Sequence, residues 1–307
     1  MGPHELRQLR NFGNTCFINA TLQCMFNCFA LQNFSSIPLG VLRDFFWVAA
    51  AVRGYLPASV ESPANQYGLL RFDTHFPLNQ QQDAMEYMQR LFDETGDILT
   101  TQFKFTLVTS VMCGTQCSQY NHEMNAPAPT HHTSDSVYSY LSVTIDPTLG
   151  RTTLADLLDT FFRPEHLPAD YICSFDSTLS PNSTKLTAWK TYPSILLLQL
   201  GRFVVNTRTS QTQKNGYTRI EVPLVLSPDF SDVENRYHLI GVVFHHGRSL
   251  TEGHYTACTL DKYHINGVAQ ERWNLHNDSK STLIPDIVQY LRGLNRDVYM
   301  LFYRRAT

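Results

Sequence analysis

The texture of this chain changes once, near residue 102, and that change constrains the fold more than any other feature. Before it, apolar residues recur with helical spacing. Cys16 to Phe29 is apolar nearly all round, as a buried helix is. LGVLRDFFWVAAAVRGYL, Leu39 to Leu56, reads as a second helix closed by Gly54 and Pro57. NQQQDAMEYMQRLFDETGDIL, Asn79 to Leu99, reads as a third, with Ala84, Tyr87, Met88 and Leu91 on one face. After residue 102 the runs are short, β-branched and aromatic: FKFTLVTSVMC, SYLSVTID, SILLLQLGRFVV, TRIEVPLVL, YHLIGVVFHH, HYTACTL and DVYMLFYRR. One short helix, TTLADLLDTFF, interrupts them. Helices first and strands later predict an α+β fold whose two parts, 1–102 and 103–307, pack face to face. The connections at Asn121–Asp135 and Asn206–Gly216 read as loops.

Composition narrows the function classes. The chain has 307 residues, 43% hydrophobic and 17% charged, with a net charge of −3. That balance gives no basis for general nucleic-acid or membrane binding. The longest apolar run, FFWVAAAV, is too short to span a bilayer, and no signal peptide opens the sequence. Seven thinly spread cysteines predict free thiols in a reducing interior, cytoplasmic or nuclear, rather than a disulfide framework. Sequons occur at Asn19, Asn33, Asn182 and Asn277, but Asn19 falls inside an apolar helix, which argues against secretion.

One thiol is placed unusually. RNFGNTCFINATLQCMFN runs Gly13-Asn14-Thr15 directly into Cys16 at the start of a helix. Glycine and asparagine tolerate uncommon backbone angles, and Asn and Thr are good N-caps. A helix N-terminus offers free N–H groups and a partial positive charge suited to an anionic sulfur. Cys16 therefore reads as a nucleophile, whereas Cys24 and Cys28 read as small buried hydrophobes. A thiol nucleophile needs a base, and the base an orienter. EGHYTACTL places His254 after a glycine at the start of a strand, and RWNLHNDSK ends a strand at Asn277-Asp278. Two neighbouring antiparallel strands would bring Asn277 to the His254 ring. His75, His131, His132 and His276 read as polar or surface histidines.

These residues resemble the catalytic domain of the ubiquitin-specific proteases. RNFGNTCFINATLQ looks like the family's Cys box, and EGHYTA, WNLHNDS and VYMLFYRR look like its His box. QQDAMEYM is similar to the helix that follows the Cys box, and SILLLQLGRF to the central palm strand. The resemblance runs from Leu6 to Arg305 and implies a papain-like thiol protease with helical thumb, β-sheet palm and β-ribbon fingers. It implies hydrolysis of peptide or isopeptide bonds at the C-terminal glycine of ubiquitin, with ubiquitin or ubiquitinated proteins as partners. Residue by residue, it makes Cys16 the nucleophile, His254 the base and Asn277 the orienter. Asn11 becomes a donor to the oxyanion and Asp278 a second acidic position. Gln81 and Asp83 lie against the ubiquitin tail.

The sequence departs from that family at two places. Many members bind zinc in the fingers through two CxxC pairs. Here Cys113 and Cys117 have three residues between them, and Cys173 is followed at the expected place by Asp176. The expectation is a degenerate site, hence no cofactor, with these four residues as the candidates. The palm strand also reads LGRF without the usual lysine, a change expected at the surface. The competing readings are a protease for another ubiquitin-like modifier, an inactive ubiquitin-binding scaffold, and a thiol hydrolase of small substrates.

Overall fold

The computed structural model describes residues 8–29, 40–53, 68–70, 76–114, 131–174, 177–205, 212–215, 217–228, 235–250, 252–265 and 268–306. Its helices are α1 (Cys16–Cys28), α2 (Val41–Val52), α3 (Ala84–Thr95), α4 (Asp97–Thr100), α5 (Leu154–Phe162) and α6 (Ile287–Gly293). The strands are β1 (Phe105–Met112), β2 (His131–Tyr138), β3 (Leu141–Thr144), β4 (Arg151–Thr153), β5 (Glu165–His166), β6 (Thr184–Thr191), β7 (Ile195–Gly201) and β8 (Phe203–Val205). They continue as β9 (Thr212–Lys214), β10 (Arg219–Glu221), β11 (Val225–Leu226), β12 (Tyr237–Ser249), β13 (Glu252–Ile265), β14 (Val268–Asn277), β15 (Lys280–Ile284) and β16 (Val298–Arg305).

The palm is one sheet in the order β15-β14-β13-β12-β16-β7-β3, with β11 on β12. The run ILLLQL reads as continuously apolar because both faces of β7 are covered. Ile195 and Leu197 enter the core shared with the helices. Leu196, Leu198 and Leu200 enter a second core with Leu154, Leu157 and Leu158 of α5. A separate sheet, β2-β1-β6-β5, forms the fingers.

Helix α1 is buried along its whole length between α3 and strands β12 and β13. That explains a sequence with no polar stripe. Phe17 touches the rings of Phe76, Tyr87 and Tyr255, joining the helical part to the sheet. Truncating such a ring to alanine costs about 3–5 kcal/mol, because the cavity cannot close.

Four local readings are corrected by the structure. The long third helix is two, because Gly96 sits at φ +58 and breaks it into α3 and α4. The second helix stops at Val52, and its expected closers Gly54 and Pro57 lie outside the described residues. Residues 131–135, expected in a loop, begin β2, and 212–214 form β9. Their polar composition hid a strand whose order comes from pairing with its neighbour. The remainder of those two loops lies outside the described residues.

The LGRF change is not a surface event either. A Cβ at Gly201 would lie 3.1 Å from Val143 O, so the close pairing of β7 with β3 restricts that position. The next residue, Arg202, is fully buried. Its guanidinium donates to the carbonyls of Val298 at 2.5 Å, Asn295 at 2.9 Å, and Asn215 and Thr218 at 3.2 Å. A buried charge is tolerable only when hydrogen-bonded in this way. Burial still lowers its pKa to about 10, against the opposing charge of Asp297.

Candidate active site

The lead-in to α1 is built by Asn11 and Gly13. Asn11 Oδ1 accepts from the backbone N–H of Gly13 at 3.0 Å and of Thr15 at 3.2 Å. Gly13 has φ +131, and a Cβ there would lie 2.5 Å from Leu78 O. Only glycine fits that turn. Asn14 N–H donates to the same Leu78 carbonyl at 2.8 Å, tying the turn to the segment before α3. Thr15 stands at the N-cap position but does not cap with its side chain. Its Oγ1 instead accepts from Phe12 N–H at 3.1 Å and lies 3.2 Å from Asn11 Oδ1. The first N–H groups of α1 are thus not taken by a side-chain cap, and Cys16 sits among them, 3% exposed.

His254 is the third residue of β13, after Gly253, whose φ is +133 and whose added Cβ would lie 2.4 Å from His246 O. β13 and β14 pair with Ala257 opposite His276, so their ends bring Asn277 beside the imidazole. His254 Nε2 is 2.7 Å from Asn277 Oδ1. With Nε2 protonated and donating to that oxygen, Nδ1 is the nitrogen turned to the thiol. The hydrogen bond to Cys16 is the largest cause that raises the His254 pKa, to about 9. Burial opposes it, while Asn277 and the charges of Cys16 and Asp278 add to it. The ring therefore holds a proton more tightly than a free imidazole.

Asp278 reaches the imidazole only at ion-pair distance, and its hydrogen bonds go elsewhere. Its Oδ2 lies 4.0 Å from His254 Nε2. Its two oxygens accept from Asn11 Nδ2 and Asn19 Nδ2, each at 2.8 Å. The residue adopts φ +49, a left-handed turn that Asp tolerates better than most residues. Asn11 is held from both ends: its oxygen by the turn before Cys16, its nitrogen by Asp278. The bond to Asp278 uses one of the two amide hydrogens of Asn11.

Gln81 and Asp83 border the same region. Gln81 is buried, and its Nε2 lies 3.4 Å from His245 Nε2. Asp83 is the N-cap of α3, its Oδ1 accepting from Met85 N–H at 2.7 Å. Its carboxylate also takes the Tyr299 hydroxyl, at 2.7 and 2.8 Å to its two oxygens. Burial raises its pKa, against those hydrogen bonds. His245 stacks edge-on with Phe203 and Tyr255, and burial lowers its pKa to about 3, so it is neutral.

The other thiols behave as core atoms. Cys24 and Cys258 are fully buried, and Cys28 is pushed up to about 12 by burial. His276 is also buried rather than on the surface, with Nε2 2.8 Å from Thr259 Oγ1. Of the zinc candidates, Cys113 and Cys173 are buried with their sulfurs 3.6 Å apart. Zn–S bonds of about 2.3 Å would put two thiolates about 3.8 Å apart in a tetrahedral site, so this pair fits two corners. Cys117 and Asp176 lie outside the described residues. Among the described residues no cluster of three or more metal-binding side chains occurs.

Asn19, Tyr299, Arg202, Lys214 and Asp297 were not singled out from sequence. Asn19 had a signal, an amide inside an apolar helix, but its partner Asp278 is far away in the chain.

The family model for ubiquitin carboxyl-terminal hydrolase matches residues 63–303, most of the chain. The chain belongs to this family. Cys16 precedes the matched span, but whole-chain relatives cover it. Ubiquitin carboxyl-terminal hydrolase 20 of Arabidopsis thaliana is 25% identical over 97% of this chain and 43% of its own length. Ubiquitin carboxyl-terminal hydrolase 12 of Salmo salar is 26% identical over 96% of this chain and 88% of its own length. The chain thus spans less than half of the Arabidopsis relative. Among solved structures, the SAGA Ubp8/Sgf11/Sus1/Sgf73 DUB module bound to ubiquitin aldehyde is similar. Its TM-score is 0.72, at 23% identity, over 98% of this chain and 70% of that chain. That likeness gives the fold, an α+β papain-like one.

Proposed function

We propose that this chain is a deubiquitinase, a thiol-dependent hydrolase of peptide and isopeptide bonds at the C-terminal glycine of ubiquitin. The observation that carries this reading is the line from Cys16 through His254 to Asn277, within a member of the ubiquitin carboxyl-terminal hydrolase family. Ubiquitin and ubiquitinated proteins are its partners on this reading.

The chemistry follows from the geometry. The Cys16 sulfur, its proton held by His254, attacks the carbonyl carbon of the terminal glycine. The C=O electrons move to oxygen, where Asn11 Nδ2 and the first N–H groups of α1 donate to the charge. Such a donor is worth about 3–4 kcal/mol in other acyl-transfer sites. The C–N bond then breaks, His254 gives its proton to the leaving amine, and a thioester remains. Water attacks the thioester with His254 as base, releasing the carboxylate and restoring the thiol. Asn277 accepts the ring N–H without adding a charge and so fixes the tautomer. Every group used belongs to the chain, so the reading requires no cofactor.

Gln81 and Asp83 are proposed to flank the ubiquitin tail. Asp83 supports this as a carboxylate fixed by a helix cap and a tyrosine. Free buried thiols at Cys24, Cys28 and Cys258 support a reducing compartment, cytoplasm or nucleus. No helix among the described residues is long and apolar enough to cross a membrane.

The test is release of a fluorophore from the C-terminus of ubiquitin, run beside the same substrate made from other ubiquitin-like modifiers. Turnover of the ubiquitin substrate alone is the expected result. Turnover of another modifier in its place, or binding without turnover, would replace this reading.

A further inference from the structure

The ribbon β8–β9 pairs only three residues on each strand, Phe203 to Val205 with Thr212 to Lys214. A two-stranded ribbon of that size is at best marginally stable by itself. Its position depends on what ties it to the palm. On β8, the Phe203 ring stacks edge-on with His245 at 5.1 Å and with Tyr299 at 5.2 Å. Those two residues contact Gln81 and Asp83, so the ribbon packs against the residues that hold the proposed tail-binding pair. Asn215, just after β9, is held by Arg202, and on β9 itself the tie is Lys214, whose side chain is 2% exposed.

Lys214 Nζ donates to Asp297 Oδ1 at 2.7 Å and to the backbone carbonyl of His245. Asp297 precedes β16, and its other oxygen lies 3.3 Å from His246 Nδ1. His246 Nε2 in turn lies 2.8 Å from Thr256 Oγ1. His246 pairs across the strands with His254, and Thr256 follows His254 by two residues. A polar line thus runs from the ribbon through Lys214, Asp297 and His246 to the strand of the imidazole. Burial opposes the charge on Asp297, but hydrogen bonds from His246 and Lys214 outweigh it and hold its pKa near about 2. Burying an ammonium in this way is costly, and apolar packing would hold a ribbon as well. What the ion pair adds is a single defined position.

We infer that Lys214 and Asp297 are positioning residues that fix the β8–β9 ribbon along the substrate cleft, so that their pair governs ubiquitin binding rather than the chemical step. This rests on the ubiquitin-hydrolase reading above. The contacts of His254 with Cys16 and Asn277 themselves involve neither Lys214 nor Asp297.

The test compares wild type with Lys214→Met, Asp297→Asn and the double variant in two assays. Hydrogen–deuterium exchange reads the ribbon without any substrate. Steady-state kinetics on a ubiquitin C-terminal fluorogenic substrate, with alkylation of Cys16 by iodoacetamide, read the cleft and the thiol. The expected result for Lys214→Met is faster exchange at 203–205 and 212–215, and KM raised at least tenfold. kcat should stay within threefold, and alkylation should be unchanged. The double variant should be no worse than Lys214→Met, because one pair is lost in each. Folded variants with wild-type KM, or with unchanged exchange in the ribbon, would overturn the inference. If Lys214→Met does not fold, Lys214→Arg and Asp297→Asn decide, with a KM rise of at least threefold supporting the inference and wild-type KM overturning it. If wild type itself does not turn over ubiquitin, the hydrolase reading fails, and the exchange assay still decides whether the pair positions the ribbon.

Discussion

Asp278 Oδ2 accepts a hydrogen bond from Asn11 Nδ2 at 2.8 Å, while it lies 4.0 Å from His254 Nε2. Adjacent residues on one turn therefore bond two different groups of the site. Asn277 bonds the His254 imidazole, and Asp278 bonds the Asn11 amide, which in the proposed mechanism donates to the oxyanion.

Removing the two side chains separately should split two kinetic readouts. Asn277→Ala should slow both ubiquitin turnover and alkylation of Cys16, since it acts on the imidazole. Asp278→Ala should lower kcat by about tenfold or more, the loss of part of an oxyanion donor's contribution. It should leave alkylation less affected, because that reaction forms no oxyanion. Stopped-flow alkylation and steady-state turnover on the same preparations check this. Equal losses in both assays for Asp278→Ala would return it to the histidine.

Much of this site was legible in the sequence because its parts are local. Gly13 to Cys16 encode a turn into a helix within four residues, and Gly253-His254 encode the start of a strand. What could not be read is the partnership of Asp278 with Asn11 and Asn19, which is made by folding the two chain ends together. Lys214 and Arg202 were illegible for a related reason. A cation in a sequence reads as surface until the carbonyls and the carboxylate that bury it are known. The strand β2 was missed because HHTSDSVY carries no apolar alternation, and its partner β1 supplies the order.

Arg202 should prove a requirement of the fold rather than of the chemistry. Arg202→Met leaves four carbonyls that shared one buried guanidinium without that donor. The expected loss is about 3–5 kcal/mol, as for breaking other buried charged networks. Urea unfolding checks it. A variant within about 1 kcal/mol of wild type, inside the ordinary range for surface changes, would contradict the packing described.

Two buried histidines should make the protein acid-sensitive. Burial holds the pKa of His245 and His276 at about 3 each, below the unfolded value of 6.5. The unfolded chain therefore takes up protons below pH 6.5 that the folded chain refuses until about pH 3. Their contribution is full above pH 6.5 and is lost as pH falls through that window, by about 1.4 kcal/mol per pH unit for each group. Urea midpoints between pH 7 and pH 5 should fall, and fall less in a folded His276→Gln. A midpoint that rises towards pH 5 would contradict the assignment.

The fingers should not need zinc. Cys113 and Cys173 are paired, but the set offers at most three thiolates and one carboxylate with a lengthened first spacing. Elemental analysis of tag-free protein should find well under one zinc per chain, and a chelator should leave turnover unchanged. Stoichiometric zinc whose removal unfolds the protein would contradict this.

Cys24 offers the control for thiol identity. It is fully buried against the sheet, and burial raises its pKa well above the ordinary thiol value. Cys24→Ser should keep activity and lose about 1–3 kcal/mol of stability, the cost of a buried hydroxyl short of partners. Thermal unfolding and ubiquitin turnover measured together test both halves.

On the proposed mechanism Cys16 forms a covalent acyl intermediate with the ubiquitin C-terminus. Ubiquitin carrying a C-terminal electrophile tests it most directly, read by intact mass and then by peptide mapping. The expected result is one ubiquitin per chain, attached at Cys16, with no adduct in Cys16→Ser and a full adduct in Cys24→Ser. An adduct that maps to another cysteine, or that persists in Cys16→Ser, would contradict it.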